Sequence, residues 1–175
     1  MLTTEEIYEI ESEAVRYPRR DAVSIDALKI VQKRRGWVSD ESLRDIAQHI
    51  GMSPTDLDSI ATFYNLIYRR PVGRHVISVC DSVSCWIMDY EYLLNHLLTK
   101  LGISGFGETT KDGMFTLLPS ACLGACDHAP AMMVDRELFG DLTRQSIDTI
   151  IDQYRIKDGD RRTAQSPLAT GRKEQ

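Results

Sequence analysis

The sequence has no cysteine before Cys80 and only four among its 175 residues. It has no run approaching the ~20 apolar residues that a bilayer-crossing helix needs. It has no basic excess: 21 Lys and Arg against 26 Asp and Glu leave a formal net charge of −5. Each shortage excludes something. A chain of this length buries about 70% of its extended surface, so it folds without disulfides. A mildly acidic balance argues against nucleic-acid binding, which usually goes with a basic excess. The opening stretch MLTTEEIYEIESEAV lacks a basic region followed by an apolar core and is not Arg-rich, so it predicts neither secretion nor organelle import. The prediction is a soluble intracellular protein, and in a reducing compartment four thiols are more often metal ligands than disulfides. There is no G-x-G-x-x-G and no G-x-x-x-x-G-K-[ST], and Gly105-Phe106-Gly107 reads as a turn rather than a phosphate cradle. The absence of C-x-x-C weakens a thiol–disulfide oxidoreductase.

What is present divides at Arg69-Arg70-Pro71-Val72-Gly73. Before it, the period is helical. Thr3 with Glu6 forms a capping-box pattern ahead of Ile7, Ile10 and Val15. Ser24 is predicted to cap a second helix carrying Ile25, Leu28 and Val31 and ending at Gly36. Ser39 opens a third, striped by Leu43, Ile46, Ala47 and Ile50. Ser53-Pro54 opens a fourth, with Leu57, Ile60, Ala61 and Tyr64 inward. Four short amphipathic helices with brief links predict a small bundle, with Trp37 as a packing anchor between helices.

After the boundary the period shortens. HVISVC, His75 to Cys80, reads as a buried strand. Leu93, Leu94, Leu97, Leu98 and Leu101 recur at helical spacing up to Gly102. Met114 to Leu118 and Ala131 to Asp135 read as strands, the second with a short hairpin partner at Glu137 to Phe139. Thr143 caps a last helix with Ile147, Ile150, Ile151 and Tyr154. The order is that of an α/β unit. The polar stretch of residues 157–175 predicts a disordered tail.

The cysteines fall as C-x4-C (Cys80, Cys85), then 36 intervening residues, then C-x3-C (Cys122, Cys126). Cys80 ends a predicted strand and points into the strand-to-helix loop after it, and Cys122 follows a predicted strand and precedes a turn. Gly124, Ala121 and Ala125 around the second pair let backbone approach and donate to sulfur. Four thiolates suit structural zinc or an iron–sulfur cluster. The intervals match neither bacterial nor plant-type ferredoxins, so spacing leaves zinc and [2Fe–2S] both open.

The surrounding residues say more. ATFYNLIYRRPVGRHVISVCDSVSC, followed by TLLPSACLGACDHAPAMMVD, closely resembles the E-subunit family of bacterial NADH–quinone oxidoreductase, respiratory complex I. The resemblance runs from about Tyr17 to Tyr154. It implies an α+β chain overall: an N-terminal helical bundle over residues 1–72, which would dock a partner, then a thioredoxin-like α/β [2Fe–2S] domain over residues 73–156. It implies one [2Fe–2S] cluster held by Cys80, Cys85, Cys122 and Cys126. FMN and NADH are expected on a partner flavoprotein subunit, with further hydrophilic-arm subunits as neighbours and no membrane insertion of this chain. The implied place is cytoplasmic, peripheral on the inner membrane through the complex. The same subunit type occurs in NAD-linked formate dehydrogenases and hydrogenases, the nearest alternative; a zinc-stabilised interaction module is the alternative of another class. Trp86 and Ala121 depart from the smaller or more polar residues expected beside the ligands.

Four further readings concern the neighbourhood. Asp81 and Asp127 each follow a ligand directly; a carboxylate roughly 10 Å from the metal at an effective ε of ~20 would lower the potential by roughly 70 mV. His128 is read as a polar neighbour, not a ligand. His49, His75 and His96 are read as structural, and Met132-Met133 as core. Arg19-Arg20, Arg34-Arg35 and Arg69-Arg70 are read as solvated faces, with a subsidiary reading as contacts to an acidic patch on the flavoprotein.

Overall fold

Thr3 starts the first helix by a reciprocal pair of bonds. Its hydroxyl accepts from the Glu6 N–H at 3.2 Å, and its own N–H donates to the Glu6 carboxylate at 2.8 Å. The computed structural model describes residues 1–164. Helix α1 (Thr4–Ala14) is followed by a 3-10 turn (Arg20–Val23), α2 (Ser24–Arg35), α3 (Asp40–Ile50) and α4 (Pro54–Phe63). Ser39 and Ser53 cap α3 and α4 through the N–H groups of Ser42 and Asp56. Ser24 does not cap α2: the 3-10 turn carries the chain into the helix, so Ser24 is already its first residue and is buried. The four helices enclose one core of Ile10, Leu28, Val31, Leu43, Ile46 and Leu57 with their small neighbours. Val38 is fully buried there, and Trp37 beside it stays half-buried outside that cluster.

Glu6 ties α1 to α2 as well as capping α1. Both its oxygens accept from the Arg35 guanidinium, at 2.8 and 2.6 Å, and its side chain is 1% exposed. The Arg35 hydrogen bonds hold its carboxyl below the usual range. A lowered folded-state pKa gives stability that is present above the unfolded value and lost as pH falls through the folded one. Glu6→Gln is therefore expected to cost about 2 kcal/mol near neutrality, the scale of a charge-assisted hydrogen bond. That difference should shrink as pH is lowered through the carboxylate range. Urea melts at a series of pH values check both statements, and a pH-independent difference would contradict the second.

The second half builds a four-stranded sheet in the order β2-β1-β3-β4. Its elements are β1 (His75–Cys80), a short α5 (Val83–Ile87), α6 (Tyr90–Leu101), β2 (Phe115–Ser120), β3 (Met132–Val134), β4 (Glu137–Phe139) and α7 (Arg144–Ala164). β1 pairs in parallel with β2, His75 opposite Phe115 and Cys80 opposite Ser120, and antiparallel with β3. Alternate residues Ile77, Val79, Phe115, Leu117, Met132 and Val134 meet Leu97 and Leu101 of α6 and Ile147 and Ile151 of α7 in one core. β2 runs two residues beyond the predicted Leu118. Pro119 is tolerated in it because β2 is an edge strand, where one missing N–H need not break a ladder.

One expectation fails at the C-terminal end. α7 continues to Ala164, so residues 157–164 are helical where a disordered tail is predicted. The cause is a contact distant in sequence: buried Asp158 pairs with Arg74 and lies 3.5 Å from the His75 imidazole. The rest of that predicted tail lies outside the described residues. No described helix is long and apolar enough to cross a membrane.

Candidate metal centre

Cys80 ends β1, the strand at the middle of the ladder. Its N–H donates to the Ala131 carbonyl at 3.1 Å, and the next N–H, of Asp81, donates to the Ser120 carbonyl at 3.1 Å. The strand end is thus fixed from both sides. The chain then turns into α5, a helix of five residues that places Cys85 inward. Cys80 and Cys85 are both buried, clustered with Ala129 and Ala131, with Leu123 and Ala125 packed alongside. Burial pushes the Cys85 thiol up to about 11, helped by the Cys80 and Cys126 thiols near it and opposed by the Ala131 backbone.

The second pair lies in the loop after β2, and both its thiols are exposed. Gly124 takes φ +77°, which suits a residue without Cβ, and its N–H donates to the Cys122 sulfur at 3.4 Å. Cys126 opens a 3-10 turn to His128 and brings its sulfur to 3.9 Å from that of Cys122. The cysteines therefore stand as two pairs, one inside and one outside. Among the described residues, no three His, Cys, Asp or Glu side chains converge to hold a single metal ion.

What clips this loop in place was not read from the sequence. The Asp141 N–H donates to the His128 carbonyl at 2.7 Å and the Leu142 N–H to the Pro130 carbonyl at 3.1 Å. Gly140 permits that approach, since a Cβ there would lie 2.5 Å from the His128 Cβ. The His128 ring nitrogen Nδ1 is 2.8 Å from the Asp141 carboxylate, which raises the pKa of the imidazole.

The model of the thioredoxin-like [2Fe–2S] ferredoxin family matches residues 10–155. The chain belongs to this family. Curated relatives narrow the membership. The chain is 46% identical over 154 residues to the E subunit of NADH-quinone oxidoreductase from Buchnera aphidicola, covering 88% of this chain and 94% of the relative. It is 46% identical to that of Pseudomonas aeruginosa, covering 88% and 92%. Against that of Escherichia coli K12 it is 48% identical over 146 residues, covering 83% and 87%. The chain is thus a member of the E-subunit family of NADH-quinone oxidoreductase, part of an oxidoreductase that transports electrons. Among solved structures, an NAD+-reducing [NiFe]-hydrogenase in the air-oxidized state aligns with TM-score 0.62 at 24% identity. The alignment covers 74% of this chain but only 23% of that one. The H2-reduced form gives 0.61 at 23% identity, covering 83% and 23%. At that identity the likeness concerns the fold.

Within this family member, the two departures beside the thiols both lie at the surface: Trp86 is 60% exposed, and Ala121 is exposed. Val83 and Ile87 of α5 and Met88 just after it are exposed as well. Asp81 and Asp127 are exposed too, the latter 3.6 Å from the His128 imidazole. The other histidines pair with carboxylates: His49 with Glu11, His75 with Asp135 and His96 with Asp148. Met132 is core as expected, and Met133 lies half-buried on the other sheet face. Of the six arginines in the three pairs, Arg19, Arg20, Arg34, Arg35 and Arg69 bond carboxylates of their own chain.

Proposed function

We propose that this chain is an electron-transfer subunit of an NADH-oxidising complex. In this reading it holds one [2Fe–2S] cluster through Cys80, Cys85, Cys122 and Cys126 and takes an electron from FMN on a flavoprotein subunit. The observation that carries it is the arrangement of thiols in two pairs, one from the end of β1 and the helix α5 and one from the loop after β2. A single zinc ion with Zn–S of ~2.3 Å needs four sulfurs about 3.8 Å from one another. Cys122 and Cys126 meet that spacing at 3.9 Å, while Cys80 and Cys85 form a separate, buried pair. A two-iron cluster takes two thiolates on each iron, which suits an inner pair and an outer pair. When bound, the cluster supplies a one-electron acceptor. Around it, Ala129 and Ala131 exclude water from the Cys80 and Cys85 side, and the Gly124 N–H steadies the Cys122 sulfur. The Cys122 and Cys126 side is open, which gives a donor its approach.

In this reading NADH is oxidised on the partner and not by this chain alone, in keeping with a sequence that has neither G-x-G-x-x-G nor G-x-x-x-x-G-K-[ST]. Identity of 46–48% to subunits of NADH-quinone oxidoreductase, against 24% to the hydrogenase, favours the quinone-linked complex. In that setting the chain sits on the cytoplasmic side, peripheral to the inner membrane. The test is anaerobic purification with analysis of iron, acid-labile sulfide and the visible spectrum, followed by addition of NADH. Two irons and two sulfides per chain are expected. NADH should bleach the spectrum only when the flavoprotein subunit is added. Zinc without sulfide, or bleaching by NADH in the chain alone, would overturn the reading.

The aspartates beside the thiols now have a smaller expected effect. Both carboxylates are in water, where an ε nearer 80 leaves about a quarter of the effect at ε of ~20. Asp81→Asn or Asp127→Asn should raise the potential by on the order of 20 mV. A redox titration followed by EPR measures it; a shift of 70 mV or more would mean the carboxylates act through a much drier path.

A further inference from the structure

A cleft of about 890 Å³ opens at the far end of the sheet from the cysteines, between α2 and the β3–β4 turn. Its α2 wall carries Lys29 and Lys33, and the turn carries Arg136. None of these three makes an ion pair among the described residues, in a chain whose net charge is −5 and in which Arg16, Arg19, Arg20, Arg34, Arg35, Arg69 and Arg74 are paired with carboxylates. Two further charges at the cleft are already used: Arg74 by Asp158, and Asp135 by His75 at 2.7 Å and the Val76 N–H at 3.0 Å. The floor is apolar, from Val76 and Met133. The wall is built, not incidental: the Gln32 amide donates to the Leu66 carbonyl at 2.8 Å and accepts from the Tyr68 N–H at 2.6 Å, tying that segment to α2.

We infer that this cleft receives an extended acidic segment of a partner subunit. Two observations choose that occupant. First, Lys29 and Lys33 are four residues apart on a helix, so they repeat every ~6 Å along it. Same-side residues of an extended chain repeat every ~6.8 Å. Carboxylates at alternate positions therefore meet both lysines, while the intervening side chains turn to Val76 and Met133. Second, the eleven residues after Ala164 hold two basic residues and one acidic, so they do not complement the cleft. The inference needs only that the chain is a subunit, and it stands apart from the electron step proposed above.

The test uses the assembled complex. A carbodiimide joins lysine ammonium to carboxylate without a spacer, and mass spectrometry then identifies the joined peptides. Lys29 and Lys33 are expected to be joined to Asp or Glu residues at alternate positions of one partner segment. Lysines that react with nothing outside their own chain, or that are protected by added ATP, overturn the inference. In a second arm, Lys29→Glu with Lys33→Glu should weaken retention of the chain in the complex at least tenfold. Iron and sulfide per chain should be unchanged, because both lysines are exposed and remote from the thiols. Undiminished retention overturns the inference, whereas a missing cluster in the unaltered chain speaks only against the electron-transfer reading.

Discussion

Cys85→Ala and Cys122→Ala are each expected to leave the purified chain with no more than about a tenth of the iron and sulfide of the parent, and with no EPR signal on reduction. In the proposed site either change would remove one of the four thiolates that would hold the cluster, and metal binding is coupled to folding in sites of this kind. The two variants differ in a useful way. Cys85 is 2% exposed and packed against Ala129 and Ala131, so its removal also disturbs a close-packed corner. Cys122 is exposed, and its sulfur accepts only the Gly124 N–H and faces Cys126. Its loss reads the ligand role with little packing change. A normal cluster in either variant would show that the four-cysteine assignment is wrong.

Phe115→Ala should have the largest effect on stability. Phe115 is fully buried at the start of β2, its ring 5.8 Å from that of His75, in the core that joins the sheet to α6 and α7. Removing a ring from such a site costs about 3–5 kcal/mol, the transfer loss plus the cavity left behind. For a chain of this size that corresponds to a midpoint lower by roughly 6–20 °C. The bundle core shares no residue with this one, so the loss should fall on the half that carries the thiols. Urea unfolding of the chain, followed by far-UV circular dichroism and by the tryptophan signals, would measure it; a cost under about 1 kcal/mol would mean the core collapses around the gap.

Much of the fold is legible where the signal is local. Thr3, Ser39, Ser53 and Thr143 all act as caps, because a cap is decided within three or four residues. The division of the cysteines into two pairs is equally legible, since their spacing is a property of the chain itself. The misses share a different cause. α5 is one short turn of VSCWI whose apolar residues face water except for Cys85, so no period marks it. The last turns of α7 depend on Asp158 meeting Arg74, 84 residues away in sequence. The contact of Gly140 with His128 is likewise invisible before the chain folds. Ser24 fails for a local reason: a 3-10 turn ahead of it moves the start of the helix.

The unequal burial of the two thiol pairs also sets how the centre ages. Sulfur oxidation follows exposure and thiolate character. A peroxide arriving from solvent meets Cys122 and Cys126, already 3.9 Å apart, and does not meet Cys80 and Cys85 beneath Ala129 and Ala131. Wear is therefore one-sided. It begins on the loop after β2 and spares the strand-end pair: where peroxide has joined Cys122 and Cys126 as a disulfide, with loss of water, a thiol reductant at the surface returns both thiols without unfolding the sheet, whereas further oxidation to sulfinic or sulfonic acid is not undone.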